Sequence, residues 1–325
     1  MKQAIKTRHE APLAPELVDE LLSFWKKIFG FDLDLTREVW LGSETQYHRL
    51  QVYLARHKER CVGSTVTITP HAFPGLGAVA QVATLPSSRD QGIASQLCRQ
   101  AVSDFRKNNG RALFLGTDNP KAARIYYRLG WKNIAGTNAM VNASNNETLK
   151  TFMDDYFCWP NDFSIITTDP SVRIPMIPLL YAPHDWQVLD ANVRIYSVRY
   201  HVQKSCVGLY HRYHHCTHGG HGQWFSAVTD DGRVVGFSTA KINTSGLCNI
   251  DGFTHQRFPD CWAPLIQTAI HWGEMQNTSG FTAILSVEDD DKRGLFESLG
   301  FGRQKAGEPL AFGGRYVPSL QLHRD

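Results

Sequence analysis

The chain has 325 residues, 42% of them hydrophobic and 20% charged, a makeup that suits a folded protein of two domains and excludes a disordered or fibrous chain. Its 34 lysines and arginines against 31 aspartates and glutamates leave a net charge of +3, too small to argue for a nucleic-acid partner. No apolar run is long enough to span a bilayer, MKQAIKTRHE carries no secretory signal, and seven cysteines without a C-x-x-C pair fit reduced thiols, so a cytoplasmic protein with no membrane partner is expected.

Leu17, Leu21, Phe24, Trp25 and Ile28 recur on one face between Pro15 and Gly30, which predicts a first helix over 17–29. In 31–50, Asp32, Asp34, Glu38 and Glu44 alternate with Phe31, Leu33, Trp40 and Tyr47, the pattern of a solvated face whose carboxylates can also attract a cation. Gln51–Ala55 and Cys61–Thr69 read as two strands joined by the charged turn 56–60, and Pro74-Gly75 marks a loop. Val79–Leu85 is a β-branched apolar run closed by Pro86, hence a buried strand.

After that strand comes Arg89-Asp90-Gln91-Gly92-Ile93-Ala94-Ser95, and Ile93, Leu97, Cys98, Ala101, Val102 and Phe105 then recur at helical spacing, predicting a helix from about Gln91 to Asn109-Gly110. The loop therefore feeds a helix N-terminus, where unpaired N–H groups and the dipole favour an anion. Gly92 lets backbone approach a phosphate and Arg89 adds positive charge. A further short strand, Arg111–Thr117, leads into Asn119-x-x-Ala122-x-x-x-Tyr126-x-x-x-Gly130-Trp131. Strand, R-x-x-G-x-A, helix, strand and then N-x-x-A-x-x-x-Y-x-x-x-G-W resembles the GNAT acetyltransferase superfamily over roughly residues 78–132.

Beyond Trp131 the Asn/Ser-rich stretch from Asn142 to Thr148 is expected to bound the first domain, Leu149–Phe157 to form a short helix, and Trp159-Pro160-Asn161-Asp162 to break it. The expected organisation is an N-terminal acetyltransferase domain at 1–145, a linker at 146–168 and a C-terminal domain at 169–325. The second half repeats the first in outline: a strand at Arg173–Tyr181, a helix from Asp185 carrying Trp186, Leu189, Val193 and Tyr196, and a hairpin of Trp224–Thr229 with Arg233–Lys241 turning at Asp230-Asp231-Gly232. A fourth strand at Leu247–Phe253, a helix at Ala263–Gln276, a strand at Phe281–Val287 and a helix from Lys292 to Leu299-Gly300-Phe301 complete it. The expected fold is thus mixed α/β: two tandem GNAT-like units, each a mostly antiparallel sheet flanked by helices. In the second unit Thr254–Trp262 carries no glycine, nothing matches Asn119 or Tyr126, and Glu288–Asp291 would repel pyrophosphate, so this unit is read as degenerate for coenzyme A.

The resemblance implies an enzyme that binds acetyl-coenzyme A, with pantetheine amides pairing to backbone of Val82, Ala83 and Thr84 and the pyrophosphate on N–H groups of Asp90, Gln91, Gly92, Ile93, Ala94 and Ser95, beside Arg89 and Asn119. It implies direct attack of a small-molecule primary amine on the thioester, an N–H near Val82 or Ala83 for the oxyanion, and Tyr126 as the acid for the departing thiolate. Tyr127 and Tyr53 fall off that register, and a core aromatic is the plain alternative for Tyr126. The base is open among Glu44, His48, His71 and Asp118; Gln81 stands where a carboxylate might otherwise serve and cannot act as one. The alternative function is a non-catalytic tandem protein binding coenzyme A or a metabolite, or transfer of a longer acyl chain, or transfer to a hydroxyl or a protein lysine. His211, His214, His215, Cys216, His218 and His221 match no familiar ligand spacing, and no metal is expected. A monomer or homodimer is expected.

Overall fold

The computed structural model of the chain describes residues 4–31, 33–144, 147–158, 162–312 and 314–325. Asp32, Asn145 and Asn146 within the expected domain boundary, and Trp159, Pro160 and Asn161 of the expected helix break lie outside the described residues. The chain divides into two compact units: Met1–Asn133 with Asn138–Phe152 and Ser205–Gly208, and Ile134–Thr137 with Met153–Lys204 and Leu209–Asp325.

In the first unit β1 (Ile5–Glu10) precedes α1 (Pro15–Phe29), a π-helical turn (Val39–Ser43), β2 (His48–His57), β3 (Arg60–Pro70), β4 (Leu76–Thr84), α2 (Ile93–Lys107), β5 (Ala112–Gly116), α3 (Pro120–Arg128), β6 (Lys132–Asn133) and β7 (Ala139–Ala143). The seven strands run in the order β1-β2-β3-β4-β5-β7-β6, antiparallel throughout except for the parallel pair β4–β5. α1 begins with Pro15, ends on Gly30 at φ 82°, and buries Val18, Leu21, Phe24 and Trp25. α2 buries the six residues at the predicted helical spacing. β1 escapes prediction because IKTRHE is an edge strand with no apolar alternation, held only by its ladder to β2.

The second unit follows α4 (Leu149–Tyr156) with β8 (Phe163–Thr167), α5 (Met176–Tyr181), β9 (Val188–Asp190), β10 (Ile195–Tyr196), α6 (Gly208–His214), β11 (Gly222–Thr229), β12 (Val234–Ile242), β13 (Cys248–Thr254), α7 (Trp262–Met275), β14 (Phe281–Ser286), α8 (Asp290–Ser298), β15 (Arg303–Ala306), β16 (Leu310–Phe312), β17 (Arg315–Val317) and β18 (Ser319–Arg324). Its main sheet runs β8-β11-β12-β13-β14-β18-β15, again with one parallel pair, β13–β14, fourth and fifth in the row. The two sheets therefore share strand order, strand direction and helix placement: two tandem units of one mixed α/β fold.

Three expectations for the second unit need correction. Arg173–Tyr181 is helical rather than a strand: after one 3-10 turn at Pro170–Val172, α5 buries all six of its residues, and a short apolar run buried all round has no periodicity to betray its type. The segment from Asp185 is not a helix; it forms the β9–β10 hairpin, in which Val188 and Leu189 are both buried and Arg194 takes φ 56°. Phe163–Thr167, inside the stretch expected as linker, is the edge strand beside β11.

Two histidines of this unit are buried as neutral rings. His184 places Nε2 2.8 Å from the Leu179 carbonyl, and His255 stacks on Phe157 at 3.7 Å. Burial lowers His184 to about 4 and His255 to about 3. With folded values below the unfolded value of about 6.5, the stability they permit is intact above that pH and is lost as pH falls toward the folded values. Each should cost about 2 kcal/mol on going from pH 7 to pH 5. Between those pH values the parent should lose about 2 kcal/mol more unfolding free energy than His255→Phe, which keeps the stacking; equal losses would mean the ring is not held neutral. The buried Asp190, whose raised pKa acts in the opposite direction, is common to both proteins and cancels in the difference.

Candidate active site

Strands β4 and β5 pair only over Leu76–Ala78 with Ala112–Phe114, and beyond that they have no ladder to each other. Val79–Thr84 thus keeps β3 on one side and an unladdered edge on the other. The β3 ladder is itself interrupted: Val66 faces Ala80 and Ser64 faces Ala83, so Gln81 and Val82 stand against Thr65 as a bulge, with Gln81 at φ 42°. Ser64 fixes the bulge from below. Its hydroxyl accepts from Trp25 Nε1 of α1 at 2.9 Å and donates to the Gln81 carbonyl at 2.7 Å. Ser64 gave no sequence signal, since a serine in a strand is unremarkable without the bulge it serves.

After β4 a 3-10 turn, Pro86–Ser88, leads to Arg89, then Asp90 at φ 61° and Gly92 at φ 74°, the residue that caps α2. A Cβ on Gly92 would meet nothing nearer than Gln96 Nε2 at 3.6 Å, so glycine answers here to the left-handed backbone rather than to space. The helix starts at Ile93, not Gln91, and no side chain caps it. The Gly92 carbonyl accepts the first helical bond, from Gln96, so the amides of Ile93, Ala94 and Ser95 lack an intrahelical acceptor. Arg89, Asp90, Gln91 and Gly92 are exposed, and Arg89 Nε lies 3.4 Å from the Thr84 carbonyl. Open amides, a left-handed glycine and one guanidinium make a cradle suited to a phosphate.

Across the splay stands α3. Asn119 is its N-cap, with Oδ1 accepting from Lys121 N at 2.9 Å, so helix capping already accounts for this side chain. Tyr126 is buried among Val79 of β4, Cys98, Val102 and Phe105 of α2, Leu113 and Leu115 of β5, and Trp131, whose ring centroid is 6.0 Å away. Burial raises its phenol well above the ordinary value, with the neighbouring Cys98 adding to the shift, so it stays protonated throughout the physiological range. The other tyrosines are placed elsewhere: Tyr127 is 48% exposed, and Tyr53, pushed up to about 12 by burial, donates to Gln51 Oε1 at 3.3 Å.

Three of the four candidate bases stand away from the bulge. Glu44 and His48 are buried at the start of β2, and His71 follows Pro70, which faces His48, with its Nε2 3.0 Å from the Thr45 carbonyl. Five steps along β3 separate Pro70 from Thr65 at the bulge, roughly 17 Å of strand. Asp118 lies instead just past the end of β5, toward which the parallel strands diverge, and accepts from Asn138 Nδ2 at 2.7 Å. Asn138 in turn accepts from Ser205 N at 3.0 Å, and a Cβ on Gly116 would sit 3.3 Å from Ser205 Cα and Cys206 N. The strap Ser205–Gly208 therefore covers the end of β5, and a Cβ on its Gly208 would come 2.8 Å from Asp34 Oδ2. Nearly ninety residues separate β5 from the strap, which is why local patterning could not reveal it. Among the described residues no group of three or more His, Cys, Asp or Glu side chains is arranged to hold a metal.

Residues 15–131, from the start of α1 to Trp131, match the model of the Acetyltransferase (GNAT) family. Similar solved structures include an acetyltransferase of the GNAT family from Streptococcus pneumoniae, at 11% identity and TM-score 0.39, covering 50% of this chain and 98% of that one. Another is a mutant form of the spermidine/spermine N-acetyltransferase of Vibrio cholerae, at 14% identity and TM-score 0.39, covering 50% of this chain and 92% of that one. No curated protein matches.

Ser64→Ala should remove both bonds at the bulge and leave the buried Trp25 N–H without its acceptor, at a cost of about 1–3 kcal/mol. Urea unfolding measures it, and an unchanged midpoint would show that the bulge does not depend on this hydroxyl.

Proposed function

We propose, from a chain whose residues 15–131 form a domain of the GNAT acetyltransferase family, that this acyltransferase moves an acetyl group from acetyl-coenzyme A to a primary amine of a small molecule. The observation that carries the proposal is the conjunction, in one unit, of a splayed β4–β5 pair, a bulge at Gln81–Val82 and an uncapped α2 N-terminus behind Gly92.

Bound coenzyme A supplies the thioester. Val82, Ala83 and Thr84 hold it along the open edge of β4, and the amides of Gly92, Ile93, Ala94 and Ser95, with Arg89 alongside, neutralise the pyrophosphate. Asp90 and Gln91 contribute backbone to the same turn; Asn119 orders the start of α3 on the facing side. An N–H at the bulge, of Val82 or Ala83, would donate to the thioester carbonyl oxygen as charge develops there. The amine nitrogen forms the new C–N bond as the C–S bond breaks. Tyr126 Oη gives its proton to the departing sulfur, and the proton shed by the amine leaves through Asp118 or water at the end of β5. Asp34 and Asp118, flanking the Ser205–Gly208 strap, favour a cationic acceptor over an anionic one.

Coenzyme A at about 100 times its Kd should stabilise the protein by about 2.7 kcal/mol, seen as a raised melting temperature, and Gly92→Glu should abolish the shift. Failure of both coenzyme A and acetyl-coenzyme A to move the melting curve at millimolar concentration would sink the proposal. Tyr126→Phe should lower turnover at pH 7 by about 10²–10⁴-fold with coenzyme A affinity retained. Unchanged turnover in an acceptor-library screen read by thiol release would reduce Tyr126 to a core residue.

A further inference from the structure

In the second unit β13 and β14 pair only at Cys248–Asn249 with Phe281–Thr282 and then part, as β4 and β5 do. Here the gap is spanned by the chain's own residues Gln187–Asn192, which comprise β9 and the start of the following turn. On the β14 side, Asp289, the N-cap of α8, accepts from Gln187 N at 2.7 Å and Val188 N at 3.1 Å, and Ser286 Oγ donates to Gln187 Oε1 at 3.2 Å. On the β13 side, Asp251 accepts from Ala191 N at 2.6 Å, and Asn192 Nδ2 donates to the Asn249 carbonyl at 2.9 Å. Lys292 closes the space between: its fully buried Nζ lies 2.5 Å from Asp251 Oδ1 and donates to the carbonyls of Val188 and Leu189 at 3.0 Å each. Asp190 beside it accepts from Thr239 Oγ1 and from Asn192 N, each at 3.0 Å.

We infer that the cleft of the second unit is permanently occupied by the segment Gln187–Asn192, an internal stand-in for a pantetheine-like ligand, so that the chain carries one coenzyme A site. Asp289 holds the same place in α8 that Asn119 holds in α3, but it spends its carboxylate on the segment's amides rather than on its own helix. Expelling the segment would leave the Lys292–Asp251 ion pair buried but strip Lys292 of two carbonyl acceptors, Asp251 of the Ala191 amide and the Asp289 carboxylate of both its amide donors, losses that an incoming ligand would have to replace one for one. The rest of the unit agrees. The β12–β13 register runs unbroken from Gly236–Thr254 to Ile242–Cys248 with no bulge, and α7 opens on Trp262, whose Nε1 donates to the Gly252 carbonyl at 3.0 Å.

The count of one site rests on the proposed coenzyme A binding by the first unit; the closure of the second does not. Full-length protein and Gly92→Glu are titrated with coenzyme A by calorimetry, and amide hydrogen exchange is followed over 187–192. One site per chain is expected in the parent and none in Gly92→Glu up to millimolar ligand, with the amides of Gln187, Val188 and Ala191 protected at least 100-fold and unaffected by coenzyme A. Two sites in the parent, binding by Gly92→Glu, or exchange of these amides at the rate of an open loop would each overturn the closure. A parent that binds none, with those amides protected, would overturn the proposed function while supporting the closure.

Discussion

The short β4–β5 ladder is the constraint from which the rest of the first unit follows. Buried backbone N–H and C=O groups must find partners, and a strand in the middle of a sheet ordinarily finds them on both sides. β4 does so for three residues and then loses β5, leaving Val79–Thr84 with one ladder. Such an edge, half-buried at Ala80, Gln81, Val82 and Thr84, is left to water or to something extended that comes to lie against it. The bulge sharpens the requirement, because Gln81 and Val82 break even the remaining ladder, and Ser64 then ties their backbone to Trp25 of α1.

The two units meet this constraint in opposite ways. In the first, past the Ala78–Phe114 pair the ladder of β4 runs to β3 alone, with the Gln81 carbonyl accepting from Ser64 Oγ and the Thr84 carbonyl lying 3.4 Å from Arg89 Nε. In the second, Gln187–Asn192 is bonded to both diverging strands through Asp251, Asn249, Ser286 and Asp289. Strand order and direction are duplicated; the opening between the strands is not. A few side chains make the difference, since a carboxylate at 289 and a lysine at 292 recruit backbone that the first unit has no charge to hold.

Legibility in the sequence followed the range of the interactions. α1, α2, the β2–β3 hairpin and the turn at Gly92 announced themselves because periodicity, charged turns and a left-handed glycine act within a few residues. The central strands and helices of the second unit did so for the same reason. What stayed hidden depends on partners far along the chain: edge strands β1 and β8, the bulge that Ser64 secures, the Ser205–Gly208 strap, and the cleft-filling segment whose bonds reach a hundred residues ahead. The helix expected from Asp185 shows how such a hidden demand misleads. Trp186, Leu189, Val193 and Tyr196 fall at helical spacing, yet the chain there is fixed by buried Asp251, Asp289 and Lys292, which local propensity cannot register.

Core packing and the proposed proton donation are not rival roles for Tyr126, because one cause would serve both. The apolar cluster that buries its ring also holds its phenol neutral, and the same cluster pushes the Cys98 thiol up to about 11. A sulfur leaving a thioester beside those residues would meet the same penalty on negative charge and would become more basic than in water. Burial therefore raises the proton affinity of the leaving group together with that of the acid, and the transfer between them stays closer to balanced than the phenol's own shift suggests. What the proposed site must then supply is proximity and dryness, and the cluster of Val79, Cys98, Leu113, Leu115 and Trp131 around Tyr126 supplies the dryness without a charged neighbour to tune it.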